Sequence, residues 1–360
     1  MKSNPLEFRR KEGLKPSFRI FSYSGKRPKK GKSGKNNFPF LARSPQGFAA
    51  GLGTSNHFFR LEGVCGFMNL FLTQTINGLG LGSIYALVAL GYSMVYGIVK
   101  LINFAHGDII MVGSYMVMFI MTVMGMPLIL AVIGSILFCA LAGVLIQRVA
   151  YHRLLTHDAP RISLLITALG VSIFLQNLFQ LLFGSEVRSM PTLFDLPAIQ
   201  LGELHITSAN ILNIVVSVVM MIGLQTLVAR TRIGKAMRAT SEDAGAAKLM
   251  GINTNHTVAF TFAVGSGLAA VGAALYCNTY PQIKPTMGNL LGLKAFVAAV
   301  LGGIGSIPGA MLGGYILGVA ESWTKNFYSN LTDAIVFGIL IVMLLVKPSG
   351  LLGKNVKEKV

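Results

Sequence analysis

MNLFLTQTINGLGLGSIYALVALGYSMVYGIV, residues 68–99, decides the fold, because it contains no charged side chain. A helix over about Gln74 to Val99, rising 1.5 Å per residue, is long enough to cross a hydrocarbon core about 30 Å thick. The chain then repeats the pattern, with apolar stretches at about 104–124, 127–150, 162–183, 208–230, 255–277 and 332–347. The last of these is short for a span. Overall the chain is 53% hydrophobic and 12% charged, where soluble domains are nearer a quarter charged. The fold class is therefore all-α, a polytopic transmembrane helical protein.

One apolar region, 292–325, is interrupted by GGIGSIPGAMLGG (Gly302 to Gly314). Gly and Pro break a membrane helix only where the freed backbone groups are buried in protein or face a cavity. The break predicts two segments meeting at a turn around Gly305 to Pro308. That makes eight membrane segments if the Gly/Pro-broken element counts as one, and nine if it crosses twice.

Upstream, residues 1–67 are of another kind. They hold 14 Lys/Arg against 3 Glu, and residues 68–360 hold 17 against 10 acids. Rich in Lys, Arg, Ser, Gly and Pro and without sustained periodicity, 1–67 reads as a basic, disordered tail. GKRPKKGKS (Gly25 to Ser33) has five residues between its glycines where a phosphate loop needs four, and no apolar strand precedes it, so that reading is rejected. A solvated basic tail is preferred to a nucleic-acid contact, and no nucleic-acid partner is expected. No 7–15-residue apolar region before a small-residue cleavage site marks a secretory signal. Met68 is the expected true start, with 68–360 as the transmembrane domain.

Downstream lies a polar island between long apolar runs, RTRIGKAMRATSEDAGAAKLMGIN (Arg230 to Asn253). Thr240, followed three residues later by Asp243, predicts a helix over Ser241 to Met250. In it Glu242 and Asp243 occupy the first turn, Lys248 the last, and Gly251 the position after the end. Such a short capped helix is either a grip for another protein or an ordinary loop carrying cytoplasmic positive charge. Placing Arg148, Arg153 and Arg161, the Arg230–Lys248 island and the Lys347–Lys359 tail all inside is self-consistent when the broken element crosses twice. Loops 184–210 and 278–291 and the Trp323 region then lie outside.

Three intramembrane features remain. Asn103, His106 and Asp108 in LINFAHGDII are costly at membrane depth. They fit a proton relay or ion site less well than a cap at Asn103, with Gly107 allowing close helix approach. Small residues recur every fourth position at Gly78/Gly82, Gly305/Gly309/Gly313 and Gly314/Gly318, a spacing that lets helix backbones meet within one subunit. Glu321, Trp323 and Lys325 read as an interfacial belt with a snorkelling lysine. Cys65, Cys139 and Cys277 make no disulfide framework. No catalytic constellation, metal spacing, cofactor motif or ATP-binding domain is present, so energy from ATP would have to come from a separate chain.

From Met68 to Val360 the chain resembles the permease subunit of high-affinity branched-chain amino acid ABC transporters. The resemblance rests on NGLGLGSIYALVALGYSMVYGIVKLINFAHGD, ALGVSIFLQN (Ala168 to Asn177), RIGKAMRATSEDAGAAKLMGIN, LKAFVAAVLGGIGSIPGAMLGGYILGVAE and KPSGLLGK. It implies a bacterial inner-membrane location. It makes Arg238, Glu242, Asp243, Ala244, Ala246, Ala247 and Gly251 the ATPase-coupling loop, approximately, since Glu-Asp-Ala stands where the family motif has Glu-Ala-Ala. Asn77, Asn103 and His106 match positions near the presumed pathway. Two ATPase subunits, a second homologous permease and an extracytoplasmic substrate-binding protein are the implied partners, besides the lipid bilayer. Leucine, isoleucine and valine are the implied substrates, with related permeases for urea, amides or sugars as the alternative. A channel or proton-coupled carrier using His106 and Asp108 is the reading from another class.

Overall fold

The computed structural model describes residues 55–353, apart from 101, 158, 192, 195–198 and 202–203. The rejected phosphate-loop stretch and most of the basic tail lie outside the described residues. Helix α1 spans Ser55–Val99, so it begins inside the stretch assigned to that tail and continues into the first expected span. Then come α2 (His106–Thr122), α3 (Leu128–Ile146), α4 (His152–Thr156), α5 (Arg161–Phe183), α6 (Ser208–Arg230), α7 (Arg232–Glu242) and α8 (Ala244–Leu249). The order ends with α9 (Thr254–Thr279), α10 (Met287–Gly302), α11 (Ile307–Phe327) and α12 (Thr332–Val346). A π-turn at Gln147–Tyr151 joins α3 to α4.

The helices differ in burial: the most apolar ones meet lipid, and the less apolar α1 and α9 are enclosed by their neighbours. Helix α9 buries an unbroken run from Gly265 to Leu275, and α1 is buried from Leu81 to Val95. With α2, α10 and α11 they form the centre. Helices α3, α5, α6 and α12 surround it and leave Leu137, Leu141, Ile166, Phe174, Val219 and Leu345 exposed for the bilayer.

Six helices among the described residues are long and apolar enough to cross alone, or seven spans if the bent pair α10–α11 counts as one. Adding α2 brings the count to eight with the pair as one span, or nine with the pair as two. At 17 residues, about 26 Å long, α2 is shorter than the core. Its start is packed against α1: a side chain at Gly91, two turns before the end of α1, would run into the His106 ring.

The broken element turns where the glycines are. The chain bends by 120° between α10 and α11. Gly303 and Gly305 take φ of 104° and 91°, which L side chains rarely adopt. Ser306 Oγ caps α11 by accepting from Gly309 N at 3.2 Å, and Gly305 N donates to Ser93 Oγ of α1 at 2.9 Å. The small-residue repeats serve contacts within this chain. A Cβ on Gly78 would lie 2.6 Å from Val319 Cα, and one on Gly314 would lie 2.6 Å from Ala86 Cα. They let α1 and α11 approach backbone to backbone. Gly107 likewise admits α10, since a Cβ there would meet Gly292 Cα at 2.7 Å.

The two ends of the bundle differ in charge. One carries exposed Lys100, Arg148, Arg153, Arg230, Arg232, Lys235, Arg238 and Lys347. At the other, Arg188–Ser189 pairs with Gln282–Ile283 in a short antiparallel ladder, tying the loops after α5 and α9 together.

Candidate functional site

The polar island forms two helices. Thr231 Oγ1 caps α7 by accepting from Gly234 N at 3.0 Å, and Gly234, Met237 and Thr240 form its buried face. Thr240 is therefore not a helix start. Its hydroxyl donates back to Ala236 O at 2.8 Å, one turn earlier in the same helix. The second helix begins at Asp243, whose extended backbone (φ −153°, ψ 109°) lets Oδ1 accept from Gly245 N at 2.8 Å and Ala246 N at 2.9 Å. The expected helix Ser241–Met250 is thus corrected to Ala244–Leu249, with Glu242 closing α7 and Asp243 as cap. A carboxylate reaching two N–H groups outcompetes a hydroxyl already bonded within its own helix. Gly251 takes φ 80° after α8, and Lys248 sits in the last turn.

The shape that results is a projection. In α8 only Ala247 is buried; Glu242, Asp243, Ala244 and Ala246 are exposed, as is Arg238 on α7. Leu249 and Met250 at the tip are 90% and 82% exposed. Two apolar side chains this open, on a polar segment at the basic end, form a surface ready to be covered. Sequence reading passed over them because leucine and methionine are unremarkable beside a membrane span.

The intramembrane candidates fall in two places. Asn103 and His106 are both buried, next to the π-turn and α1 respectively. Asn103 does not cap α2: Ala105 holds that position without a side-chain bond, and Asn103 Oδ1 instead accepts from Tyr151 Oη at 2.8 Å. The π-turn places that tyrosine, 48 residues away in sequence. His106 lies edge-on to Tyr92, with ring centroids 4.8 Å apart. Asp108 Oδ1 accepts from Gln176 Nε2 at 2.9 Å, which ties α2 to α5. Asn103 Nδ2, His106 Nε2 and Asp108 Oδ2 are buried without a hydrogen-bond partner. Three such atoms near the start of one helix concentrate polarity in the middle of an apolar bundle. Asn77 lies elsewhere, towards the less basic end, where its Oδ1 accepts from Asn210 Nδ2 at 2.7 Å.

Glu321 belongs to no interfacial belt. It is 1% exposed and forms the hub of a buried charge cluster. Its Oε1 meets Lys294 Nζ at 2.9 Å and Lys325 Nζ at 2.7 Å, and its Oε2 accepts from Tyr85 Oη at 2.8 Å. Lys294 also meets Asp333 Oδ1 at 2.8 Å. Two lysines and two carboxylates thus neutralise one another and join α10, α11 and α12, with α1 contributing the tyrosine. Lys294, absent from every sequence-based candidate set, was legible only as one charge in a long apolar stretch.

A multi-pass helical bundle with an exposed polar loop between spans and polar side chains in its interior has the architecture of a helical polytopic permease. The chain belongs to the family described as branched-chain amino acid transport system / permease component, whose model matches residues 74–345. It is 45% identical over 303 residues to the high-affinity branched-chain amino acid transport system permease protein BraD of Pseudomonas aeruginosa, covering 81% of this chain and 98% of that one. It is 44% identical to the corresponding protein LivH of Salmonella typhimurium, with the same coverage of both chains. An archaeal relative, the probable branched-chain amino acid transport permease protein LivH of Methanocaldococcus jannaschii, is 28% identical over 77% of this chain and 90% of its own. No solved structure matches the chain.

Proposed function

We propose that this protein is the membrane-spanning permease subunit of an ATP-driven importer of leucine, isoleucine and valine in the bacterial inner membrane. The observation that carries the coupling role is the exposed α8 projection with Leu249 and Met250 at its tip. Its docking partner is an ATPase subunit, one of two in the assembly. Arg238 and Lys248 can pair with acids on that partner, and Ala244 and Ala246 permit close contact. Met237 and Ala247 seat α7 and α8 against the bundle, so a displacement of the projection is transmitted to α6 and α9. ATP-driven closure of the ATPase pair would then bias the bundle between outward and inward access. A second permease completes the membrane unit, and an extracytoplasmic binding protein delivers substrate. Asn77, Asn103 and His106 are the pathway residues of this reading.

The test replaces Gly251 by Trp, or Glu242 by Arg, in the full transporter. Both variants are expected to insert normally, lose the co-purifying ATPase and lose uptake. Normal uptake from either would overturn the coupling role. Uptake that survives ATP depletion and collapses with a proton uncoupler would instead favour a carrier working through His106 and Asp108.

A further inference from the structure

We propose that the hollow enclosed by α1, the start of α6, the end of α9 and α11 is a receiving site for an amino-acid zwitterion, with Lys325 holding its carboxylate. The assignment of an amino acid as occupant rests on the function proposed above. The hollow has a volume of about 330 Å³, roughly that of eleven water molecules at about 30 Å³ each. It lies at the end of the bundle opposite α7, α8 and the basic loops, which positive-inside placement makes the outer face.

Its walls divide by chemistry. Lys325 is the one cation in the lining, and no carboxylate lines it. The lysine is 44% exposed and gives one proton to Glu321, and an ammonium has three to give. Acceptors for an α-ammonium stand on α1. Asn77 Oδ1 takes one hydrogen bond from Asn210, and Gln74 Oε1 takes one from Ser322 Oγ at 3.0 Å; each oxygen keeps a second lone pair. Leu81, Ala209 and Tyr280 supply the apolar part of the lining. Behind the wall, fully buried Asn213 donates to Thr279 Oγ1 at 3.0 Å, and its own Oδ1 has no partner. The hollow thus offers a cation, carbonyl acceptors and an apolar surface, the three groups that an aliphatic amino acid presents in complement.

A larger hollow, about 790 Å³, lies between the end of α2 and the loop after α5. Its walls include the exposed Val123 and Val187 and the oppositely charged Glu186 and Arg188, and Arg188 gives one of its N–H groups to the Phe183 carbonyl. The smaller hollow reaches further into the helices, where Leu81, Asn210 and Ser322 of its lining are buried.

The test uses the assembled transporter in membranes with its binding protein. Leucine moved per ATP hydrolysed is expected to fall at least tenfold in Ala209→Phe, which fills the hollow without removing a polar contact. Lys325→Gln should fall similarly and Lys325→Arg should retain transport, with ATPase co-purification kept in all three. In Ala209→Cys, thiol modification from the outer face is expected to be slowed by leucine and not by 3-methylbutylamine, which lacks the carboxylate. Unchanged transport in Ala209→Phe would overturn the site. So would a defect in Lys325→Gln alone, which would confine the lysine to the Glu321 cluster. A wild-type complex that moves no branched-chain amino acid refutes the proposed function and the receiving site together, whereas failure of the site alone leaves wild-type transport intact.

Discussion

Replacing Lys294 by Met tests whether the buried charge cluster holds α10, α11 and α12 together. The substitution keeps the length and apolar stem of the side chain and removes two ion pairs, 2.9 Å to Glu321 and 2.8 Å to Asp333. Asp333 is more than half exposed and can be hydrated in place. Glu321 cannot, and keeps only Lys325 and the Tyr85 hydroxyl. Removing one partner of a buried pair costs about 3–5 kcal/mol, and the surviving lysine puts this case near the lower figure. At about 2 °C per kcal/mol for a large domain, the expected fall in unfolding temperature is about 6 °C. The assay is thermal unfolding of the detergent-purified protein. Lys294→Met/Glu321→Gln should recover most of the loss, because the uncompensated charge is then gone. An unshifted single variant, or a double variant no more stable than the single, would refute the reasoning.

Asp243→Ala removes both hydrogen bonds that start α8, a loss of about 1 kcal/mol for a helix cap. It should weaken ATPase co-purification and uptake, whereas Asp243→Asn, whose amide oxygen still accepts, should preserve both. Gly314→Leu places a side chain on the Ala86 backbone and should yield aggregated protein in size-exclusion chromatography. Gly223→Leu, which points into open space on α6, should remain monodisperse.

The readings that succeeded rested on local physics. An uncharged run as long as 68–99 has to be a helix in a membrane, since every backbone group must bond within its own segment. The same rule located the turn between α10 and α11, because Gly303 and Gly305 can adopt the positive φ the reversal needs. The four-residue spacing of Gly78, Gly82, Gly314 and Gly318 marked helix faces, though not which helix each would meet.

The readings that failed required a neighbour distant in sequence or a local competition between equals. Thr240 and Asp243 are both cap residues three apart. Seating Met237 and Thr240 against the bundle extended α7 through Thr240 and left the cap to the aspartate. Asn103 looked like a cap until the π-turn brought Tyr151 to it. Glu321 looked interfacial because Lys294 and Asp333 lie on other helices.

The sequence by itself determined the membrane class, the broken element and the existence of the polar island, because hydropathy and backbone freedom are properties of each segment alone. The tertiary structure decided which polar groups meet: Lys294 with Glu321, Asn77 with Asn210, Lys325 at the hollow. In an apolar bundle that depends on which helices cross and at what depth, a relation between segments that no single segment encodes.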